Sequence, residues 1–277
     1  MHKASLIISV YKNTGFLKSV LESLNFQSEN DFEIIITEDG TDPTMHDFIT
    51  GYNFRHDYQH LTQEDLGWRK NKALNNAIRA ARSPWLIFID GDCVLHPRFV
   101  EMHVKYADEM FILAGKRVKL TQQISTQLSA HPENLLKMQT LMMRNLFIKE
   151  KQLTFVEEGV FIAPYGIFGW IPQIRTLNHL KGCNMSFSKK AIEAINGFDE
   201  DYVLPAVGED ADLTWRFNAA GYTIQSVRNL AVQYHLYHPE SWVNQEVNLQ
   251  LMAGKQSRNE YICNNGLTKI NLKKINS

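Results

Sequence analysis

Trp85-Leu86-Ile87-Phe88-Ile89-Asp90-Gly91-Asp92-Cys93 decides the fold: five apolar residues run unbroken into two aspartates that flank a glycine. An apolar run of that length reads as a strand buried on both faces. Carboxylates at its end are hard to explain as packing. Gly91 permits a tight backbone turn, and acids two residues apart can approach one ligand. Hard oxygen donors of this kind suit Mg²⁺ or Mn²⁺, which commonly bridge to substrate phosphates. On this segment alone a plainer reading stays open, a turn in which Asp is favoured for its own hydrogen bonds.

Upstream, strand and helix signals alternate. Ala4 to Val10 and Phe32 to Thr37 read as strands, and Tyr58 to Leu61 as a weaker third. Thr14 is placed to cap a helix to about Gln27, with Phe16, Leu17, Val20, Leu21 and Leu24 on one face. Pro43 opens a helix to about Tyr52, and Lys70 to Ala81 carries helical periodicity that Pro84 ends. The alternation predicts an α/β fold: a mostly parallel, doubly wound sheet with helices on both faces. Ligands of such sheets sit at the carboxyl ends of the strands. That directs attention to Ser9-Val10-Tyr11, Glu38-Asp39-Gly40 and Asp90-Gly91-Asp92. Asp39 there could accept from a nucleobase N–H and Tyr11 could stack on a base, although a turn and ordinary packing also account for those two residues.

Downstream the pattern is less regular. Phe111 to Val118 reads as a strand, Glu133 to Lys149 as a helix, and 155 to 181 as a loop rich in Gly, Pro and aromatics. Phe168 and Trp170 in that loop could form a sugar platform. Cys183 to Phe187 reads as a strand, Lys189 to Asn196 as a helix, Gly197 as a turn, about Glu209 to Ala220 as a helix and Thr223 to Val227 as a strand. Another strand ends near His235. Pro239 is expected to start a final helix to about Tyr261, before a solvated tail with Lys269, Lys273 and Lys274. Residues 209–212 put three acids in four positions where a helix opens, more than the macrodipole calls for, and one could serve as a general base. His235 and His238, three apart at a strand end, are ready metal ligands when neutral.

The bulk composition excludes several classes. The chain has 277 residues, 44% hydrophobic and 21% charged, with 29 Lys plus Arg against 30 Asp plus Glu, a net charge of −1. No basic block or stripe calls for nucleic acid. The longest apolar runs fall well short of the ~18 residues of a membrane span, and the N-terminus lacks a signal-peptide pattern. Cys93, Cys183 and Cys263 have no CxxC spacing, which fits reduced thiols in a cytoplasmic protein better than disulfides or a zinc site. No repeat or linker composition divides residues 1–277, so one domain is expected.

Taken in order, SVYK, EDG, GWRKNKALNNA, FIDGDC, GCNMSF, NGFDEDY, GEDADLTWR and YHLYHP resemble glycosyltransferase family 2, the inverting family with the GT-A fold. The second half is similar to the galactosyltransferase-type C-terminal region of chondroitin-polymerase and β-1,4-galactosyltransferase relatives. The resemblance runs from about residue 4 to residue 240. It implies a nucleotide-binding half (1–118), an acceptor and catalytic half (119–260) that is irregular in structure, and a tail (261–277). It implies that Ser9, Tyr11, Glu38 and Asp39 line the nucleoside pocket, and that Arg69 and Asn71 approach the base and diphosphate. Asp90 would face the ribose or sugar, and Asp92 would hold a divalent metal (Mn²⁺ or Mg²⁺) with His235 and His238. Asp210 matches the catalytic base, with Glu209 beside it. Gly182, Asn184 and the loop through Trp170 lie where relatives hold donor sugar and acceptor. A UDP-sugar donor is implied, since an Asp at position 39 suits the uracil N–H. A saccharide or lipid-linked saccharide acceptor is implied as well, in surface polysaccharide synthesis, with the protein cytoplasmic or at the inner membrane face without a span. Pro205-Ala206-Val207-Gly208 replaces the Trp-Gly-Gly that relatives often carry before the Glu-Asp pair, and no second catalytic domain is expected.

Three rival readings can be set beside this one. A sugar-phosphate nucleotidyltransferase needs a Gly-rich, Arg- and Lys-bearing loop after the first strand, where this chain has Tyr11-Lys12-Asn13-Thr14. A nicotinamide-dependent oxidoreductase needs GxGxxG there. A catalytically inactive nucleotide-sugar-binding protein would have little reason to keep Asp90, Asp92, Asp210 and His235 together.

Overall fold

β1 (Ala4–Val10), β2 (Phe32–Glu38), β3 (Tyr58–Leu61) and β4 (Trp85–Asp90) are joined by α1 (Thr14–Leu24), α2 (Pro43–Gly51) and α3 (Lys70–Ala80). These bounds match the sequence expectation closely in a computed structural model that describes residues 2–147, 153–239 and 243–270. After them come β5 (Cys93–Leu95), α4 (Phe99–Lys105), β6 (Phe111–Ala114), β7 (Val118–Lys119), α5 (Gln122–Ala130), α6 (Met138–Asn145) and α7 (Ile171–Ile174). The chain ends with β8 (Met185–Ser188), α8 (Lys189–Ala194), α9 (Ala211–Ala219), β9 (Thr223–Ser226), β10 (Gln233–His235) and α10 (Glu246–Ser257).

Seven strands form the main sheet in the order β3-β2-β1-β4-β8-β6-β9, and β5-β10-β7 form a second, small sheet. β1, β2, β3 and β4 are parallel neighbours, whereas β8 runs antiparallel to both β4 and β6. Strand alternation divides the apolar residues between two faces. Leu6, Ile8, Ile34, Ile36, Ile87 and Ile89 pack with Leu17, Leu21, Met45 and Phe99, from α1, α2 and α4. Ile7, Ile35, Leu86 and Phe88 pack with Leu74, Ile78, Ile192, Leu213 and Phe217, from α3, α8 and α9. A third core joins Val94, Val118 and Tyr234 of the small sheet to Leu128, Met138 and Met142 of α5 and α6.

Several expectations need correction. Asn13, not Thr14, caps α1: its Oδ1 accepts from the Phe16 N–H at 2.9 Å, and Asn is the stronger cap. The strand expected over 111–118 is two strands in different sheets. Between them the Asn184 side chain lies 2.3 Å from where a Gly115 Cβ would be, so only glycine lets the chain pass. The helix expected from Glu133 is a 3-10 turn (Pro132–Lys137) leading into α6, and its last two positions lie outside the described residues. A residue before proline disfavours helix, so His131 separates α5 from that turn. α5 itself was hidden by its polar sequence. The final helix starts at Glu246, whose N–H is accepted by Asn244 Oδ1 at 2.9 Å; Pro239 stands in a stretch without regular secondary structure instead. Lys269 is bridged to Asn265 rather than in a free tail, and Lys273 and Lys274 lie outside the described residues.

Asp212, one of the three clustered acids, belongs to the scaffold. It is fully buried and accepts from Tyr202 Oη (3.0 Å), Trp215 Nε1 (3.1 Å) and Arg216 Nη1 (3.0 Å). Arg216, also fully buried, donates onward to the carbonyls of Tyr261 and Ile195. Removing one partner of a buried pair leaves an uncompensated charge and costs about 3–5 kcal/mol. Asp212→Ala should therefore lower the urea unfolding free energy by about that amount, and a loss under ~1 kcal/mol would show that the network does not anchor α9.

Candidate active site

The parallel register sets Ser9 beside both Thr37 and Asp90, so the ends of β1, β2 and β4 meet at one edge. The Gly91 N–H donates to Ser9 O at 2.8 Å, and a Cβ at Gly91 would lie 2.8 Å from Val10 Cγ1. Glycine thus lets the chain turn sharply between the two aspartates. A cleft of about 390 Å³ opens there, lined by Ser9, Tyr11, Asp39, Trp68, Asp90 and Asp92.

The turn leads at once into β5, which pairs antiparallel with β10 so that Cys93 faces His235. Asp92 Oδ2 consequently lies 3.2 Å from His235 Nε2 and 3.1 Å from His238 Nε2. One potential ligand atom from each of the three residues lies within 4.8 Å of the others, so together they could hold a metal ion. Burial opposes ionisation of Asp92, but hydrogen bonds from the two imidazoles outweigh it and hold the carboxyl well below the usual range. The histidines also line a second recess of about 460 Å³, with Lys119, Thr121 and Tyr237.

Across the cleft, Lys70 opens α3 and links two parts of the chain. Its Nζ donates to Asp90 Oδ1 at 2.7 Å and is ion-paired with Glu209 Oε2 at 2.5 Å. Burial works against the ammonium, yet Asp90 and Glu209 hold its pKa well above the ordinary value. Burial pushes the Glu209 carboxyl up to about 7, against the pull of Lys70 and with the push of Asp210 and Asp90. Asp210 is raised as well, again chiefly by burial, with Lys181, the Gly182 N–H and Lys70 opposing. The Gly182 N–H donates to Asp210 Oδ1, Lys181 Nζ lies 3.9 Å from Oδ2, and a Gly182 Cβ would crowd Oδ1 at 2.9 Å. Asp210 caps no N–H with its side chain, so its carboxylate is committed to the site rather than to α9.

The other expected residues divide into two groups. Tyr11 is half exposed at the cleft, its Oη 3.2 Å from Asp65 Oδ2. Asp39 faces the cleft with both oxygens engaged, Oδ1 by Gln63 Nε2 and Oδ2 by the Arg69 N–H, each at 2.7 Å. Arg69 therefore contributes its backbone to the site's frame, while its guanidinium turns to Trp68 O. Glu38, Asn71 and Asn184 do not line the cleft. Glu38 is buried between the Asp42 N–H and His60. Asn71 donates to the carbonyls of Asp199 and Gly208, which holds the chain leading into Glu209. Asn184 is fully buried, meeting His103 and the carbonyls of Lys116 and Ala231. Trp170 is exposed in its loop and lines neither recess. The sequence reading missed Lys70, Trp68, Lys181 and Arg117, the last 3.7 Å from Asp90 Oδ2. Lys70 and Trp68 had a signal, since they lie in the quoted GWRKNKALNNA; the other two had none.

A family model described as glycosyl transferase family 2 matches residues 5–162, and one described as the N-terminal domain of galactosyltransferase matches 175–239. The chondroitin synthase of Escherichia coli is 22% identical over 258 residues, covering 85% of this chain and 35% of that protein. The first curated relatives found are matched over only 22–24% of their own length. Among solved structures, S. aureus TarS 1-349 in complex with UDP-GlcNAc aligns with a TM-score of 0.58 at 15% identity, covering 92% of this chain and 66% of that one. The mannosyltransferase PcManGT from Pyrobaculum calidifontis, in complex with GDP-Man and Mn²⁺, aligns at 0.55 and 13% identity, covering 93% and 62%. The fold is GT-A, as in these structures.

Two measurements test this geometry. Titration of Mn²⁺ followed by electron paramagnetic resonance should show one ion bound, with affinity falling at least about tenfold in Asp92→Asn and in His235→Ala; equal affinity in both variants would remove the cluster from consideration. The second concerns pH. A carboxyl raised in the folded state stabilises fully below its unfolded value, near 4.5 for Glu209, and that contribution is lost as pH rises through about 7. Wild type should lose more stability than Glu209→Gln between roughly pH 5 and 8, and parallel losses would show that Glu209 is not the titrating group.

Proposed function

The chain belongs to glycosyl transferase family 2, and on that premise we propose that it moves a sugar from a UDP-sugar to a hydroxyl of a saccharide acceptor, inverting the anomeric carbon. The observation that carries this reading is the meeting, at one sheet edge, of the Asp92-His235-His238 cluster with Glu209 and Asp210 across Lys70. One carboxylate and two imidazoles fit a divalent ion of borderline character such as Mn²⁺, whereas Mg²⁺ favours oxygen and retained waters. When bound there, such an ion supplies positive charge opposite the departing diphosphate.

The chain's own residues do the rest. Ser9, Tyr11 and Asp39 hold the nucleoside, with Asp39 accepting from the base N–H through the lone pairs its protein donors leave available. Asp90, fixed by Lys70 and Arg117, faces the ribose or sugar. Asp210 accepts the acceptor hydroxyl's proton while that oxygen bonds to the anomeric carbon from the side opposite the diphosphate. The bond from carbon to diphosphate breaks, its electron pair leaves with UDP, and configuration inverts. A carboxyl raised by burial is a stronger base than an ordinary one, and the Gly182 N–H aims it. Glu209 has a raised pKa too, but its carboxylate is tied to Lys70, which suits it to positioning. The Trp170 loop, with Phe168, supplies a platform for the acceptor.

On this reading residues 1–277 act as one unit, with a nucleotide half (1–118) and an acceptor half (119–260). The acceptor is a saccharide or lipid-linked saccharide of a surface polysaccharide, reached from the cytoplasmic side of a membrane. Among the described residues, no helix is long and apolar enough to cross one. The test is Asp210→Asn, which keeps size and shape but cannot take a proton. Transfer should fall by ~10²–10⁴-fold while UDP binding stays within about twofold of wild type. Should Asp210→Asn still transfer sugar while Glu209→Gln is the inactive variant, the base is Glu209.

A further inference from the structure

Away from the cleft, the 3-10 turn 132–137 and α6 form a nearly continuous helical stretch whose two long faces differ. Leu135, Met138 and Met142 point inward to the third core. Leu136, Met143 and Phe147 point outward, 61%, 42% and 83% exposed. At about 100° per residue in α6 and about 120° in the 3-10 turn, these three and Thr140 fall within roughly 80° of one another, a single stripe. Exposed apolar side chains scattered singly need no explanation, but a stripe of this spacing is the pattern of a helix that meets another apolar phase. Lys137 and Arg144, seven residues and about two turns apart, fall on one flank of it.

Next to the stripe, α5 and α6 enclose a groove of about 380 Å³ whose apolar wall is Ile124, Leu128, Met138 and Leu141, and whose charged lining, among the described residues, is Lys137 and Arg144. Among the described residues the nearest acid in sequence is Glu133, outside the groove and 3.3 Å from His131. An apolar wall with two cations and, among the described residues, no carboxylate complements an anion that carries hydrocarbon. A second copy of the chain suits it less well, since a two-fold contact would bring Lys137 and Arg144 toward their own counterparts.

We propose that the Pro132–Phe147 segment docks the protein on an anionic lipid surface, with Leu136, Met143 and Phe147 entering the acyl boundary and Lys137 and Arg144 meeting lipid phosphates. Neither residue set touches the cleft, so docking adds to catalysis without taking part in it. It deepens the reading of a membrane-side acceptor, but it can be measured with no donor, metal or acceptor present.

The test is flotation of the full chain with vesicles of phosphatidylglycerol mixed with phosphatidylcholine, against vesicles of phosphatidylcholine alone. Wild type should float with the anionic vesicles, and binding should fall at least about tenfold in the double variant Lys137→Glu, Arg144→Glu. The triple variant Leu136→Ser, Met143→Ser, Phe147→Ser should lose binding as well. All five side chains are exposed, and UDP affinity within twofold of wild type confirms that each variant is folded. Equal binding to both vesicle types, or unchanged flotation of either variant, overturns the proposal. So does a dimer that the triple variant dissociates in the absence of vesicle binding, which would make the stripe an interface between copies. Each of these outcomes leaves the assignment of Asp210 and Asp92 standing, because UDP binding and transfer are read separately.

Discussion

The antiparallel pairing of Cys93–Leu95 with Gln233–His235 is the constraint on which the site depends. It sets His235 opposite Cys93, so that residues 146 positions apart in the chain, Asp92 and His238, come within hydrogen-bonding distance. The pairing is short, but it does not stand alone. Val94 and Tyr234 lie in the third core with α5 and α6, and the Leu236 N–H is accepted by Asp92 O at 2.9 Å. Helices that bear no site residue therefore hold the geometry of the Asp92-His235-His238 cluster indirectly, by keeping the small sheet against the large one.

The second requirement is electrostatic. Four carboxylates, Asp90, Asp92, Glu209 and Asp210, converge on one edge, and unpaired they would repel one another and be costly to bury. Each has a cation or a pair of imidazoles, with Lys70 shared by two of them: Lys70 and Arg117 for Asp90, the two histidines for Asp92, Lys70 for Glu209 and Lys181 for Asp210. Lys70 matters most, because it ties the end of β4 to the segment before α9. Asn71 adds to that tie by holding the carbonyls of Asp199 and Gly208. Buried Lys255, paired with Asp199 and Asp201, fixes the same segment from α10.

The sheet's first half was legible because its signals are local. β1, β2 and β4 announce themselves as apolar or β-branched runs, and the ligand edge follows from topology alone. The second half was less so. β5 and β7 are three and two residues long and are strands only because of their partners, while α5 hides a buried Leu128 in a polar sequence. The same division runs through the site. Asp90, Asp92, His235 and Asp210 stand out by spacing and order. Lys181 and Arg117 could not be told from solvated surface cations until the fold brought acids to them, and Lys70 was marked only by lying in GWRKNKALNNA. Glu38, Asn71 and Asn184 lie in recognisable motifs, yet their side chains serve backbone groups and buried partners, a difference that residue identity does not carry.

Whether nucleotide binding uses a metal held by Asp92, His235 and His238 is read from isothermal titration of UDP into the full chain, once with Mn²⁺ and once after chelation with EDTA. If it does, UDP binds saturably with the metal and at least about a hundredfold more weakly without it. The same affinity in both titrations would rule the cluster out of nucleotide binding.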